Sequence, residues 1–167
     1  MTPKTQASVD FREAVFELSK TMPFARDFIN SGRLSQPYQY IGSALVSEDD
    51  ISFCSDGILP GQSILDAPIF IGRKQTWLID QITIGFSLVA FVDEEKTAIS
   101  ITKYLDEVCR QLDLVEQYLV VTSKRLNGRS TKFLCDTSGL ALERWAASDG
   151  TIYLVRPDHH IAARWKA

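Results

Sequence analysis

The stretch Gly85-Phe86-Ser87-Leu88-Val89-Ala90-Phe91-Val92-Asp93-Glu94-Glu95 decides the fold. It contains most of a short apolar run, Ile82–Val92, of β-branched and aromatic residues, which is typical of a strand buried on both faces. The run ends at three consecutive carboxylates. From there to Leu112, apolar residues recur three or four positions apart with polar residues between them, so an amphipathic helix follows the strand. These apolar residues are Ile99, Ile101, Leu105, Val108 and Leu112.

The segments downstream complete an α/β order. Tyr118–Thr122 is a second buried strand, and a strand-helix-strand order favours a parallel pair with a right-handed connection. Thr137–Ala147 has the apolar pattern of a second helix. Thr151–Val155 and Ile161–Trp165 flank Arg156-Pro157-Asp158-His159-His160, whose Pro and Asp suit the turn of a β-hairpin. The resulting order, β-α-β-α-β-β, is that of a thioredoxin-like core.

The segments upstream predict a helical and extended arm. Between Asp10 and Asn30 the apolar residues recur at mostly helical spacing. Pro23 divides this segment into one helix and a shorter second one, because a proline cannot continue a helix from within. An extended segment follows and carries two aromatic residues, Tyr38 and Tyr40. We expect these side chains to be available for contacts.

The segment Ser47–Pro68 is rich in turn-forming residues, so we expect irregular structure there. A chain of 167 residues is long enough for one domain with an added arm, but not for two full domains. We therefore predict a helical and extended arm at residues 1–50 and a thioredoxin-like domain at residues 51–167.

Charge and hydropathy exclude two classes of partner. The net charge is -3 and the 18 Lys and Arg residues are scattered, so the chain has no basic stripe that could neutralise phosphates. Met1–Asp10 contains no apolar signal segment. No run of about 18 apolar residues occurs anywhere in the sequence. We expect a cytoplasmic protein that binds neither nucleic acid nor a membrane.

Carboxylates occupy the position where a thioredoxin has its redox thiols. Disulfide exchange needs a Cys-x-x-Cys at the end of the first core strand, where the N-terminus of a helix lowers the thiol pKa. That position reads Val92-Asp93-Glu94-Glu95-Lys96-Thr97, and carboxylates would raise a thiol pKa. Disulfide exchange is thereby excluded. We expect Cys54, Cys109 and Cys135 to pack as small apolar side chains, with a peroxide-reactive Cys135 as the alternative.

Other combinations of reactive residues lack the context that their chemistry needs. His159 and His160 are adjacent in a turn without a third ligand, so we expect exposed turn residues and no metal site. Ser138, His159 and Asp136 are the residue types of a hydrolase triad, but no sharp turn between small residues presents the serine. No Gly-rich phosphate-binding motif occurs, so we expect no FAD or other cofactor. The sequence therefore predicts no catalytic residues and no enzyme activity of the chain by itself.

The sequence of Asp149–Trp165 resembles the terminal hairpin of the phenol hydroxylase-like, FAD-dependent class A aromatic monooxygenases. The signature of that hairpin is Leu-Val-Arg-Pro-Asp, two further residues, and then Val-Ala-x-Arg. Here the corresponding residues are Leu154–Asp158 and Ile161–Arg164. Further matches occur in the order of the family, at Ile29–Ser35, Tyr40–Ser43, Pro60-Gly61, Asp66–Pro68 and Gly85–Phe91.

The resemblance implies a thioredoxin-like domain that has lost the thiol pair and contributes to packing or oligomer contacts. In full-length hydroxylases this domain follows the FAD and substrate domains, and catalysis resides in those domains. Asn30–Ser43 would correspond to the linker between them. Two features depart from the family: the FAD-binding portion is missing, and the final helix of many relatives does not follow Ala167. An uncovered sheet face and arm would expose apolar area, which predicts self-association or a partner.

Two functions stay open after these observations. The first is a non-catalytic module that forms a homo-oligomer or docks on a separate FAD-dependent monooxygenase. The second is a small aromatic-ligand-binding protein or an accessory enzyme of aromatic-compound oxidation. Its ligand pocket would be lined by four aromatic residues, and the other interpretation of these residues is that they pack in the hydrophobic core. They are Trp77, Phe86, Trp145 and Tyr153.

The candidate contacts with a partner or ligand lie in the arm and in the hairpin turn. Arg156 and Asp158 have two interpretations: a contact to an anion of a partner, or a salt bridge and turn cap that hold the hairpin. The full set of candidate contact residues is Phe24, Phe28, Arg33, Tyr38, Tyr40, Arg156 and Asp158.

Overall fold

The computed structural model describes residues 5–29, 37–53, 57–124 and 132–166. The chain divides into two compact units, a helical unit up to Pro37 and a sheet unit from Tyr38 onward. Residues 38–50 thus belong to the sheet unit, whereas the sequence grouped them with the arm.

The described residues of the helical unit form α1 (Gln6–Thr21) and α2 (Pro23–Ile29). A capping box begins α1, because the Thr5 hydroxyl accepts the N–H of Ser8 and the Ser8 hydroxyl accepts the N–H of Thr5. Pro23 is the first residue of α2, where a proline costs no hydrogen bond. The predicted division into two helices at Pro23 is confirmed.

The sheet unit is α/β, and its described residues form two α-helices and a sheet of seven strands. Its helices are α3 (Glu95–Gln111) and α4 (Leu140–Trp145). Its strands are β1 (Pro68–Ile71), β2 (Lys74–Trp77), β3 (Phe86–Val92), β4 (Val115–Thr122), β5 (Phe133–Cys135), β6 (Thr151–Val155) and β7 (Ile161–Lys166).

The sheet has the strand order β2-β1-β5-β4-β3-β6-β7. The decisive strand β3 lies in its interior, parallel to β4 and antiparallel to β6. The helix α3 connects β3 to β4, α4 precedes β6, and β6 and β7 form the predicted hairpin. The predicted order of core elements is therefore confirmed.

Each face of the sheet has its own apolar cluster, because successive residues of a strand point to opposite faces. Leu88, Ala90 and Val92 of β3 pack with the apolar side of α3, on what we call the α3 face. Val89 and Phe91 pack with α4 on the opposite face, the α4 face. A strand buried on both faces must be apolar throughout, which explains the continuous apolar run in the sequence.

The sheet is wider than the sequence predicts, because β1, β2 and β5 extend it beyond β4. Each of these strands has four residues or fewer, so periodicity gives little signal. β1 and β2 form a hairpin whose turn contains Gly72 at φ +60°. In the expected irregular region, the described residues before β1 contain one turn of 3₁₀ helix, Ile51–Phe53, and a single bridge from Ser63 to His160.

The helix α4 is shorter than the predicted segment Thr137–Ala147. Its start is fixed by the Asp136 carboxylate, which accepts the N–H groups of Leu140, Ala141 and Leu142 at 2.7 to 3.2 Å. None of the helices among the described residues combines the length and the apolar character that a membrane crossing needs.

Candidate docking surface

The turn between β6 and β7 brings Arg156 and His160 together at one end of the sheet. The N–H of Arg156 donates to the carbonyl of His160 at 2.8 Å, and the N–H of His159 donates to the carbonyl of Arg156 at 2.9 Å. His159 has φ +60°, the left-handed conformation that closes three-residue hairpin loops. Pro157 sits at the second position of the turn, where its fixed φ is favourable.

Arg156 and Asp158 form an ion pair across this turn, with 2.6 Å between Nη2 and Oδ2. Burial opposes ionisation of Asp158, but the His160 N–H and the Arg156 guanidinium outweigh it and hold the pKa of this carboxyl below its usual value. The Arg156 side chain is 10% exposed, and its buried Nη1 has no hydrogen-bond partner among the described residues. The salt bridge that was expected to hold the hairpin is therefore present, and the Arg156 Nη1 donor makes no hydrogen bond with the described residues.

Backbone hydrogen bonds to Gly61 hold Tyr40 close to this turn. The N–H of Tyr40 donates to the Gly61 carbonyl at 2.9 Å, and the N–H of Gly61 donates to the Ile161 carbonyl at 2.7 Å. Gly61 has φ +86°, and a Cβ there would lie 2.7 Å from the Tyr40 carbonyl oxygen. Only glycine permits this close approach.

Aromatic and cationic side chains meet above the turn. The ring centroids of Tyr40 and His160 are 4.8 Å apart in edge contact, and those of Tyr38 and Tyr40 are 5.2 Å apart. The Arg156 Cζ lies 5.2 Å from the Tyr40 ring centroid, within range of a cation–π interaction. We call this set the turn cluster, and its members are Tyr38, Tyr40, Arg156, Asp158 and His160.

The turn cluster unites four of the candidate contact residues and adds His160. The expectation of an exposed histidine was wrong for His160, whose side chain is 17% exposed because the Tyr40 ring packs against it. Tyr38 keeps 71% of its surface exposed and Tyr40 keeps 38%. Of the other candidates, Phe24 is exposed on α2, while the Phe28 side chain and Arg33 lie outside the described residues.

The thiol position of a thioredoxin lies at the N-terminus of α3, and Asp149 holds it in place here. The Asp149 carboxylate accepts the N–H of Asp93 at 2.7 Å and the Thr97 hydroxyl at 2.9 Å. Glu94 caps the helix without a side-chain hydrogen bond. This position contains the carboxylates of Asp93 and Glu94 and the hydroxyl of Thr97, none of which can form a disulfide.

The cysteines lie away from that position. Cys135 is buried in β5. Cys109 is half-buried on α3, and burial raises the pKa of its thiol, which lowers its reactivity at neutral pH. Cys54 lies outside the described residues. The expectation of small apolar packing therefore holds for Cys135, and Cys109 lacks the lowered pKa of a reactive thiol.

The aromatic residues proposed to line a ligand pocket do not come together. Trp145 and Tyr153 are fully buried in edge contact, with ring centroids 4.9 Å apart. Trp77 is half-exposed on the edge strand β2, and four strands separate β2 from β6, the strand of Tyr153. Trp145 and Tyr153 are therefore core residues, the other interpretation that the sequence allowed, and Trp77 does not join them.

Asp136 and Ser138, which the sequence offered as members of a hydrolase triad, form hydrogen bonds at the start of α4. Asp136 caps α4, and the Ser138 hydroxyl donates to its carboxylate at 2.9 Å. Within the described part of the chain, no group of three or more His, Cys, Asp and Glu side chains could hold a metal ion.

An open groove of about 840 Å³ lies on the α3 face, beside α3. It is lined by polar residues of α3 on one side and by apolar and aromatic groups at its floor. We call it the α3 groove, and its lining residues include Lys96, Ser100, Ile101, Tyr104 and Trp165.

Comparison with solved structures identifies the architecture. The thioredoxin domain of a thiol-disulfide oxidoreductase from Bacteroides vulgatus superposes with a TM-score of 0.50 at 16% identity, covering 64% of this chain and 89% of that one. The thiol peroxidase from Chromobacterium violaceum gives 0.54 at 10% identity, covering 78% and 85%. The fold is thioredoxin-like. The predicted fold class is thereby confirmed.

Two flavoproteins share this fold over part of their length. The flavin-dependent monooxygenase PieE, solved in complex with FAD and substrate, has a TM-score of 0.61 at 17% identity, covering 98% of this chain and 28% of its own. Aklavinone-11 hydroxylase, solved with FAD and aklavinone, has 0.56 at 17% identity, covering 77% and 23%. The chain thus spans about a quarter of each. No family model and no curated protein matches the sequence.

Proposed function

We propose that this chain is a non-catalytic, cytoplasmic docking module that binds a separate FAD-dependent aromatic monooxygenase through the turn cluster. The observation that carries the proposal is the convergence of Tyr38 and Tyr40 with Arg156, from more than a hundred positions away in the sequence, on one partly exposed surface.

The proposal that the module is non-catalytic rests on the residues at the start of α3. Asp93, Glu94 and Thr97 stand where a thioredoxin has its thiol pair, and Asp149 ties this position to the start of β6. The Asp93 and Glu94 carboxylates and the Thr97 hydroxyl cannot take part in thiol–disulfide exchange, which needs a thiolate. The scaffold is therefore available for binding alone.

The composition of the turn cluster suits a protein interface. Tyr and Arg are enriched among the residues that dominate binding energies, because they combine apolar area with hydrogen-bonding groups. The Arg156 Nη1 lacks a partner among the described residues, and an unsatisfied buried donor is costly. Because this nitrogen is itself buried, the surface that a partner would contact is supplied mainly by the Tyr38 and Tyr40 rings.

The proposed partner is a flavoprotein because of the resemblance of the sequence and the fold likeness to parts of PieE and aklavinone-11 hydroxylase. In both structures a thioredoxin-like part accompanies a longer flavoprotein chain. This likeness supports a flavin-dependent monooxygenase as the partner of the proposed module.

The test uses the flavin-dependent monooxygenase encoded nearest to this chain that lacks a thioredoxin-like domain. Sedimentation velocity, recorded at the flavin absorbance, should show a faster-sedimenting species when this chain is added. Tyr38→Ala and Tyr40→Ala should each weaken the complex at least tenfold, about 1.4 kcal/mol. Trp77→Ala is the matched control, since Trp77 is a half-exposed aromatic residue on the distant strand β2.

Two results would contradict the proposal. One is the absence of a complex, and the other is a complex that tolerates both tyrosine substitutions as well as the Trp77 control. Asp93→Asn with Glu94→Gln should leave the hydroxylation rate of the complex unchanged, whereas a loss would assign chemistry to this position. Binding of flavin or a phenol by the isolated chain, seen as absorbance or quenched tryptophan fluorescence, would instead favour the aromatic-ligand function.

A further inference from the structure

A second, smaller groove adjoins the turn cluster at Tyr40. Residues 39–42 and 46–49 line it, together with Leu59 and Pro60. We call it the acidic groove, and all of its lining residues belong to the sheet unit. It encloses about 320 Å³, less than half the volume of the α3 groove. This volume lies at the lower end of the ~300–1,000 Å³ range of ligand pockets, so it suits one or two side chains.

Backbone hydrogen bonds hold both walls of the acidic groove in place. The wall that contains Tyr40 is attached through the N–H of Tyr40, which donates to the Gly61 carbonyl. The opposite wall is attached to β7, because the N–H of Ser47 donates to the Ala162 carbonyl at 2.8 Å. The groove is therefore formed before anything binds, and a ligand does not have to order it.

The charged residues that line the acidic groove are both acidic. They are Glu48 and Asp49. The Asp49 carboxylate is engaged, because it accepts from Nε and Nη2 of Arg164 at 2.7 and 2.6 Å. Glu48 is exposed, and its carboxylate forms no ion pair within the part of the chain that the structure describes. The groove thus presents a negative charge that attracts a cation.

The rest of the acidic groove is mostly apolar. Val46, Leu59 and Pro60 contribute aliphatic surface, and Tyr40 contributes an aromatic ring. Ile41, a further lining residue, is 84% exposed. A long aliphatic stem that ends in a cation matches this combination, because the stem can be buried while the charged head stays at the carboxylate. Arginine fits better than lysine, since its planar guanidinium forms two parallel hydrogen bonds with one carboxylate.

We propose that the acidic groove receives an arginine side chain of the flavoprotein that docks on the turn cluster. This inference rests on the proposed function, because one partner contacts both surfaces. Tyr40 lines the groove and also belongs to the turn cluster, so a partner that covers the Tyr38 and Tyr40 rings reaches the groove directly. The apolar walls bury the arginine stem, and Glu48 binds the guanidinium. Glu48 thereby determines which partner surfaces fit, since it repels an acidic one.

The first experiment repeats the sedimentation measurement of the flavoprotein complex with Glu48→Lys. We expect the complex to weaken at least about tenfold, because the new cation repels the arginine of the partner. Glu143→Lys is the matched control, since Glu143 is also exposed but lies on α4 and the substitution changes the net charge equally. The control should leave the affinity within about twofold of the parent, because exposed charges outside an interface contribute little.

The second experiment tests the groove without the flavoprotein. Backbone amide NMR spectra of the full chain are recorded during titration with N-acetylarginine amide. N-acetylcitrulline amide is the matched probe, because it has nearly the same shape but no charge. We expect saturable shifts at residues 39–49 and 59–61, with the arginine probe binding at least about fivefold more tightly than the citrulline probe. Glu48→Gln should remove this difference.

The two experiments separate failure of the groove from failure of the docking function. Equal binding of both probes would overturn the proposal, as would no saturable shift, the result expected if the chain's own residues fill the groove. A flavoprotein complex that tolerates Glu48→Lys as well as Glu143→Lys would also overturn it, while leaving the docking function intact. If no flavoprotein complex forms but the arginine probe binds through Glu48, the docking function is wrong and arginine recognition by the groove is confirmed.

Discussion

The two faces of the sheet are built from the same strands but are closed to different degrees. On the α4 face, Phe91, Trp145 and Tyr153 are fully buried in mutual ring contacts. On the α3 face, Trp165 stays half-buried and a groove remains open beside α3. The α4 face therefore supplies the larger share of fully buried aromatic packing, whereas the α3 face keeps an accessible groove.

Trp145→Ala should give the largest loss of stability, because it removes a fully buried ring from the closed face. We expect the free energy of unfolding to fall by about 3–5 kcal/mol. Trp165→Ala on the open face removes the same side chain from a half-buried position and should cost less than half as much. Urea unfolding of both variants tests this, and equal losses would contradict the distinction between the faces.

Asp49→Ala should give the next largest effect, by opening the edge of the closed face. Arg164 has a fully buried side chain, and the Asp49 carboxylate accepts from its Nε at 2.7 Å and from its Nη2 at 2.6 Å. Loss of this carboxylate should lower stability by about 2–3 kcal/mol, less than for a fully buried pair because Asp49 is partly exposed. The adjacent, exposed Glu48 gives the control: Glu48→Ala should change stability by less than about 0.5 kcal/mol in the same measurement.

Gly61→Ala should disturb the turn cluster by moving Tyr40. The backbone at Gly61 is left-handed, which is unfavourable for alanine, and the added Cβ would lie 2.7 Å from the Tyr40 carbonyl oxygen. Gly42→Ala has a similar φ of +72° but no atom within 4 Å of its Cβ. We expect Gly42→Ala to cost about 1 kcal/mol and Gly61→Ala about 2–3 kcal/mol.

The same pair of variants tests the docking surface. Gly61→Ala should also weaken flavoprotein binding, whereas Gly42→Ala should not. If both variants lose equal stability and bind alike, Gly61 does not position Tyr40.

The pH dependence of the hairpin turn should be the smallest effect. The folded pKa of Asp158 is held below its unfolded value, so its pairing stabilises the protein above the unfolded pKa and is lost as pH falls through the folded pKa, below about pH 4. Its side chain is 42% exposed, so solvent screens the pair and the effect is small. Asp158→Asn should remove this part of the acid-induced shift in urea midpoint, and an unchanged shift would contradict the assignment.

The sequence by itself determined the core order and the absence of thiols at α3. The continuous apolar run of β3 and the amphipathic spacing of α3 reflect local burial requirements, and these produce recognisable periods. The hairpin was equally visible, because Pro157 and Asp158 fix the turn by local backbone preferences. That the sequence contains no Cys-x-x-Cys can be seen without a structure.

Only the tertiary structure decided which residues meet. Tyr40 contacts His160 because Gly61 bridges two distant segments, and no local pattern encodes that distance. The strands β1, β2 and β5 are too short to show a period, and they are stabilised by pairing with neighbours. Whether a half-apolar face is closed or open likewise depends on which helices lie above it, as the α4 face and the α3 groove show.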